Sequence, residues 1–263
     1  MVNRRQYEQF LNFMFDMSDK ADQISMKYFE EQQFLEISVK NDGSFVTKAD
    51  HEIEREIRLM IEETYPTHSI LGEEEGETFS DYDYRWIIDP IDGTHGFMTG
   101  LPIWATLIAL EYKREILVSL ISAPALCSRW WAGSGFGAYK HFNDKTLTIA
   151  VSDVDSLDKS QMVYTSVLAC EEKWHGFGNL LAQVWRERGV GDFWGHCLVA
   201  EGSAEVMLDP IVNVWDVAAL HLLISESGGL MTDIDGHSTY TAGYAITSNS
   251  NVHQAILSFI SPV

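Results

Sequence analysis

Apolar residues recur every three or four positions through residues 4–33. Phe10, Phe13, Met14, Met17, Ala21, Ile24 and Tyr28 mark one face of a long amphipathic helix that packs on a core. An extended piece at Leu35–Lys40 and a polar turn at Asn41–Ser44 follow. The stretch from Phe45 to Asp50 opens a second helix that runs to about Tyr65, where Pro66 stops it. Continuous apolar runs then predict strands at Ser69–Gly72, Trp86–Ile88, Trp104–Tyr112, Ile116–Ala123 and Ser128–Ala132. Lys113-Arg114 suits a hairpin turn between two of them. Thr94–Thr99 reads as a helical turn.

The second half alternates. Strands are predicted at Leu147–Ala150, Gln161–Thr165, Ala204–Leu208 and Tyr244–Thr247. Helices are predicted at Glu172–Arg188, with a stripe of Trp174, Phe177, Leu181, Val184 and Trp185, then at His196–Glu201, Val217–Ile224 and Asn251–Ile260. Asp233–Gly236 reads as a turn. The fold class is therefore α/β, α+β in the first half and alternating in the second. The expected division is residues 1–142, carrying most of the acidic motifs, and 143–263, completing the site.

Two carboxylates in Trp86-Ile-Ile-Asp89-Pro90-Ile91-Asp92-Gly93-Thr94 change the picture. Pro90 fixes φ and removes an N–H, so the chain turns between two acids. Taken alone, Asp-x-x-Asp-Gly is an ordinary surface turn. The apolar runs on both sides argue instead for a buried pair of like charges, which is tolerable with a cation between them. Glu73 ends the Ser69–Gly72 strand as Asp89 ends its own, so both reach the same sheet end, although an acidic triplet such as Glu73–Glu75 is usually solvated loop. Asp216 opens an apolar, buried helix; it is an N-cap unless its carboxylate points inward, where it needs a partner. Asp50 has the plain reading of a first-turn acid. Gly133-Ser-Gly135-Phe-Gly137 imitates a nucleotide loop but continues as strand, so it reads as a turn.

The chain has 263 residues, 39 acidic against 18 basic, and a formal net charge of −21. Such acidity argues against nucleic acid and anionic membrane partners. Three scattered cysteines and the lack of an apolar leader or long apolar span predict a cytoplasmic protein with reduced thiols. Nine histidines show no zinc-like spacing, and no Gly-x-Ser-x-Gly is present. An all-carboxylate donor set favours magnesium or manganese over softer metals.

Gly72-Glu-Glu74, the Trp86–Thr94 motif and Trp215-Asp-Val-Ala-Ala-Leu-His-Leu-Leu-Ile-Ser-Glu-Ser-Gly-Gly229 together resemble the inositol monophosphatase family, in order and over nearly the whole chain. The resemblance implies a layered α-β-α-β-α sandwich of the inositol monophosphatase and fructose-1,6-bisphosphatase type. It implies metal ligands at Glu73, Asp89, the Ile91 carbonyl, Asp92 and Asp216, holding two or three Mg2+ per subunit, with Mn2+ as the alternative. Gly93 and Thr94 would hold phosphate. Glu73 and an Asp50–Thr94 pair would activate water, and Lys40 would match a loop lysine. Asp209 stands where inositol-type members place a substrate-contacting acid. Gly96 replaces the family's usual asparagine in Asp92-Gly-Thr-His-Gly96-Phe.

Gly100–Leu110, Ser122–Leu126 with Arg129–Ala132, and Gly191–Trp194 with Leu198–Gly202 resemble the histidinol-phosphate phosphatase branch. The implied activity is Mg-dependent hydrolysis of a small phosphate monoester by metal-activated water, with histidinol phosphate as substrate, by a homodimer. The alternatives are an inositol-1-monophosphatase, a broad sugar-phosphate phosphatase, or a catalytically silent metal-binding regulatory module. A nucleoside bisphosphate is disfavoured, because no basic cluster awaits a second phosphate.

Overall fold

Helix α1 (Arg4–Glu30) begins at a capping box in which Asn3 and Gln6 exchange side-chain to backbone hydrogen bonds. Its apolar stripe lies against α2 (Lys48–Thr64), and both helices cover one face of a large sheet. The computed structural model describes residues 3–31, 37–39, 45–80 and 83–263. Lys40 and the Asn41–Ser44 turn lie outside them. A short hairpin of β1 (Ile37–Val39) and β2 (Phe45–Thr47) leads into α2, so the second helix starts three residues later than the pattern of Phe45–Asp50 suggests.

The large sheet contains β3 (Ser69–Gly72), β4 (Gly76–Thr78), β5 (Tyr84–Asp92), β6 (Ala105–Tyr112), β7 (Glu115–Ala123), β8 (Ser128–Gly133), β9 (Gly137–Phe142) and β10 (Lys145–Thr148). Its order is β10-β9-β8-β7-β6-β5-β3-β4. Every pairing is antiparallel except β3 with β5, which run parallel and bring Gly72, the end of β3, opposite Ile88. Lys113 and Arg114 form the β6–β7 turn, both with positive φ, as a tight hairpin requires. β10 carries this sheet past residue 142. Trp86, Ile88, Ile108 and Leu110 face α1 and α2, whereas Ile87, Leu107 and Ala109 face the opposite way. This is the period-two alternation of a strand buried on both faces. Each such side chain contributes roughly 1.5–3 kcal/mol.

The second half supplies β11 (Gln161–Tyr164), α4 (Val167–Lys173), β12 (Trp174–His175), α5 (Phe177–Leu181), β13 (Arg186–Gly189), α6 (Asp192–Ala200), β14 (Val206–Asp209) and α7 (Val214–Glu226). It closes with β15 (Gly229–Thr232), β16 (Ala245–Asn249), α8 (His253–Phe259) and β17 (Ser261–Pro262). A five-stranded mixed sheet has the order β13-β11-β14-β16-β15. α6 and α7 lie between the two sheets, sharing a core with Ile87 and Leu107 on one side and Val163, Met207 and Ala245 on the other. α4, α5 and α8 cover the outer face of the small sheet around Trp174, Phe177, Leu180 and Ile256. The layers are thus α-β-α-β-α, as expected.

The continuous helix predicted at Glu172–Arg188 does not form. Gly176 adopts φ +87, and a Cβ there would lie 2.0 Å from the Phe259 carbonyl oxygen. The chain breaks at that glycine, Trp174–His175 pairs with β17, and Arg186–Gly189 becomes an edge strand. Trp174 and Phe177 still reach the core, so their spacing reports burial without helix continuity. α6 begins at Asp192, four residues before the predicted start, and β15 had no alternation to announce it.

Candidate metal and phosphate site

Asp89 and Asp92 are three positions apart, so in a regular strand their side chains would point to opposite faces. The β5–β6 register resolves this. Asp89 pairs with Leu107 and Asp92 with Ala105, so three steps on β5 oppose two on β6. The extra residue is a bulge at Pro90–Ile91, which turns both carboxylates to one side. Pro90 has no N–H for the ladder to lose, and its carbonyl accepts from the buried Thr106 hydroxyl at 2.8 Å. Asp216, from the first turn of α7, completes a cluster: one oxygen of each of Asp89, Asp92 and Asp216 lies within 4.8 Å of the others. Asp216 is the third residue of that helix rather than its cap, and it accepts from Asn213 N at 2.7 Å.

Burial, then the charges of Glu73, Asp92 and Asp216, push the Asp89 carboxyl well above its usual range. Burial and the charges of Asp192 and Asp216 do the same to Asp92. Burial raises Asp216 to about 7, against the lowering effect of the Asn213 N–H. Asp89 Oδ1 is buried without a hydrogen-bond partner. A buried carboxylate in that state needs a proton or a cation. Several carboxylate oxygens with no nitrogen or sulfur among them fit a hard divalent ion. The Ile91 carbonyl beside them accepts the Thr94 hydroxyl at 3.0 Å and keeps a second lone pair.

Glu73 follows β3, and its N–H donates to Ile88 O at 3.3 Å, which sets it next to Asp89. It stands outside the 4.8 Å cluster of described residues. Its loop is braced by Glu54, a fully buried acid of α2 that no local pattern marks. Glu54 accepts from Glu74 N at 2.7 Å and Glu75 N at 3.0 Å, and Arg58 donates to it at 2.8 Å. The Glu–Arg spacing of four on one helix is the sole sequence signal for this clamp. Gly72 lets it close, since a Cβ there would lie 2.1 Å from Glu54 Oε1. Glu54→Gln should unfold about 3 kcal/mol more easily, because Arg58 is left buried beside an uncharged amide. Denaturant unfolding at fixed pH would show it, together with weaker metal binding.

Gly93 has φ +83, and a Cβ would meet Ile103 O at 2.8 Å. The turn into α3 (Thr94–Thr99) therefore brings backbone, not side chain, to the cluster's edge. Gly96 has the same constraint, with Ile103 O 2.6 Å from a notional Cβ, while Leu101 N bonds Gly96 O at 2.9 Å. The turn is thus braced without the family's asparagine, which would clash here.

Asp50 is buried, and its Oδ2 accepts both Thr47 N and the Thr47 hydroxyl. Its Oδ1 has no partner, and burial raises the carboxyl to about 7 despite those bonds. The Thr94 hydroxyl donates to Ile91 O, so the expected Asp50–Thr94 hydrogen bond is not formed. Asp209, at the end of β14, is buried near the cluster and raises the pKa of both Asp92 and Asp216. Two neighbours had no assigned role in the sequence: Asp192, with φ +56 and its carboxyl raised to about 6 by burial and Asp209, and the buried His196. Phe193 N donates to Asp92 Oδ2 at 2.5 Å and ties α6 to the cluster. Both neighbours lie in the segment beginning Gly191-Asp-Phe-Trp, which no metal motif covers.

The chain is similar to known proteins over nearly its whole length. The inositol monophosphatase family model matches residues 6–261. The histidinol-phosphatase of Streptomyces coelicolor is 38% identical over 93% of this chain and 94% of its own. The inositol-1-monophosphatase of Mesorhizobium japonicum is 31% identical over 94% of each. The crystal structure of extragenic suppressor protein SuhB from Bartonella henselae superposes with a TM-score of 0.86 at 27% identity, covering 95% of this chain and 97% of that one. No helix among the described residues is long and apolar enough to cross a membrane. The chain belongs to the inositol monophosphatase family and is an enzyme of the phosphoric monoester hydrolase class.

Proposed function

We propose that the protein hydrolyses histidinol phosphate to histidinol with Mg2+. The observation that carries this reading is the trio of a buried Asp89 and half-buried Asp92 and Asp216, whose charges repel unless a cation joins them. These three, Glu73 and the Ile91 carbonyl would hold two or three ions. When bound, divalent ions neutralise phosphoryl charge and make a coordinated water more acidic. The Gly93 and Thr94 N–H groups, at the tight turn, hold the phosphoryl oxygens. With its hydroxyl released from Ile91 O, Thr94 passes a proton from water to the unpartnered Asp50 Oδ1. Glu73, held by the Glu54 clamp, orients that water opposite the ester oxygen. No phosphorylated side chain is needed, because the attacking group is water. Lys40 is assigned to the phosphate as a loop cation, and the enzyme works as a cytoplasmic homodimer.

The higher identity to a histidinol-phosphatase than to an inositol-1-monophosphatase favours the cationic substrate. The second reading, inositol 1-phosphate, draws on Asp209, whose carboxylate would accept a hydroxyl as readily as an ammonium. Phosphate release from both esters with and without Mg2+ decides between them. The expected result is Mg2+-dependent turnover with kcat/KM higher for histidinol phosphate. Higher kcat/KM for inositol 1-phosphate overturns the substrate, and no Mg2+-dependent release from either overturns the mechanism and leaves the silent-module reading.

A further inference from the structure

A cleft of about 710 Å3 opens at the end of the large sheet opposite the acidic cluster. Its volume lies within the roughly 300–1,000 Å3 of small-molecule sites. Arg85, near the start of β5, pairs with Glu111 of β6. Both share the face of Ile87 and Ala109 that packs on α7. Asp92 stands roughly 20 Å further along the same strand. His221 and Leu222, from the C-terminal half of α7, close the cleft together with Tyr240. No residue of the acidic cluster lines it.

Glu111 is 5% exposed, in a row whose alternation asks for an apolar side chain. Its Oε2 accepts from Arg85 Nη2 at 2.8 Å and from the Tyr240 hydroxyl at 2.7 Å. Burial and Glu111 push the Tyr240 phenol up, so it stays a donor. Glu111 Oε1 has no hydrogen bond to any described residue, and Arg85 Nε is buried without a partner. Buried polar groups are normally paired, so two open atoms on one ion pair point to a ligand. Other charges around the cleft are occupied. Asp83 faces Lys113 at 3.4 Å, and Glu226 accepts from Gly135 N and Gly137 N at 2.8 and 2.9 Å. Arg114 differs. It sits exposed in the β6–β7 turn, and its carbonyl accepts from the Tyr240 hydroxyl at 3.3 Å. Its guanidinium has no ion pair among the described residues, yet its charge reaches the Tyr240 phenol.

We propose that this cleft binds a small zwitterion of the α-amino acid class, with its carboxylate on the Arg114 guanidinium and its ammonium group on Glu111 Oε1. The open groups are of both signs, which decides the class. A polyphosphate would meet Glu111 and the exposed Glu115, and a polyamine would meet Arg114. One small ligand carrying both charges satisfies each with a charge-assisted hydrogen bond. Arg85 and Tyr240 hold the Glu111 carboxylate in place before the ligand arrives, which lowers the ordering cost of binding. Ile116 and Leu222, each 6% exposed, and the His221 ring, 5.3 Å from the Tyr240 ring, give the ligand's side chain an apolar wall. The site stands whether or not the phosphatase reading holds, because the two share no residue.

Calorimetric titration of the full chain with each protein L-amino acid, with and without Mg2+ and inorganic phosphate, tests this. The expected result is that at least one binds with Kd below about 1 mM, equally in both buffers. Its methyl ester and its deaminated acid should each bind wild type at least about tenfold more weakly, as loss of a charge-assisted hydrogen bond predicts. Arg114→Asn should weaken the amino acid by a similar factor. Asparagine accepts the φ of +67 held there, and the position is exposed, so the variant keeps the fold. Three results overturn the proposal: no amino acid binds, the affinity is unchanged by esterification or in Arg114→Asn, or binding is lost when Mg2+ and phosphate are present. The last would place the ligand at the acidic cluster instead.

Discussion

Asp89→Asn is expected to lower kcat for phosphate-ester hydrolysis by about a thousandfold or more and to raise the melting temperature of the metal-free protein. The two effects have one cause. Asp89 is the most buried member of the trio, and its Oδ1 has no partner. Removing its charge removes an ion ligand and the electrostatic stabilisation that depends on it, where losing even one such contact costs 10²–10³-fold, roughly. The same change removes one of several repelling carboxylates, and the new amide can donate to Asp92 or Asp216. Relief of roughly 1–3 kcal/mol would shift the midpoint upward by a few degrees. A variant that loses activity and also melts lower in the absence of metal would mean that Asp89 serves packing instead. Steady-state kinetics with Mg2+ and calorimetry in chelator separate these outcomes.

The second large effect is on pH. Burial first, and neighbouring acids after it, lift Asp50 and Asp216 to about 7 from an ordinary 3.8, and lift Asp89 and Asp92 in the same direction. Each raised carboxyl binds its proton more tightly in the folded chain than in the unfolded one. Between about pH 4 and pH 7 the folded protein therefore holds extra protons, and the stability of the metal-free form falls as pH rises through that window. Above it Asp50 and Asp216 are ionised in both states and their penalty is complete. Cations bound to the ionised cluster replace the protons, so the gain in melting temperature on adding Mg2+ should be small near pH 5 and largest near pH 8. Thermal melts at both pH values, with Mg2+ and with chelator, measure this difference directly. An Mg2+ effect of equal size at pH 5 and pH 8 would contradict it.

Much of this site was legible along the chain because its acids sit at strand ends and a helix start, where apolar runs give way. The Trp86–Ile88 run, Pro90 and Gly93 together predict a buried strand ending in a sharp turn, and the register shift at Pro90 is its physical form. The α/β class followed from a run of strands giving way to alternating strands and helices, whereas the layered arrangement was what the resemblance of the acidic motifs implied. Other parts depend on contacts that spacing does not encode. Gly176 breaks a helix whose apolar stripe is otherwise sound, because the backbone at Phe259 comes too close for any side chain. Glu54 looks like one more solvated acid until the loop at Glu74–Glu75 folds onto it. His196 and Asp209 are thirteen positions apart and meet through the packing of α6 against the small sheet. The Asp50–Thr94 pair is the reverse case: both residues are placed near the cluster, yet each bonds a nearer partner, Thr47 for one and the Ile91 carbonyl for the other.

The central claim is that distant acids form one cation-holding cage. Anomalous diffraction from crystals soaked in Mn2+ and inorganic phosphate tests it most directly. The account predicts anomalous peaks bounded by Asp89, Asp92 and Asp216, with phosphate oxygens at the Gly93–Thr94 N–H groups. Crystals in which those carboxylates enclose no anomalous peak, at metal concentrations that support turnover, would contradict it.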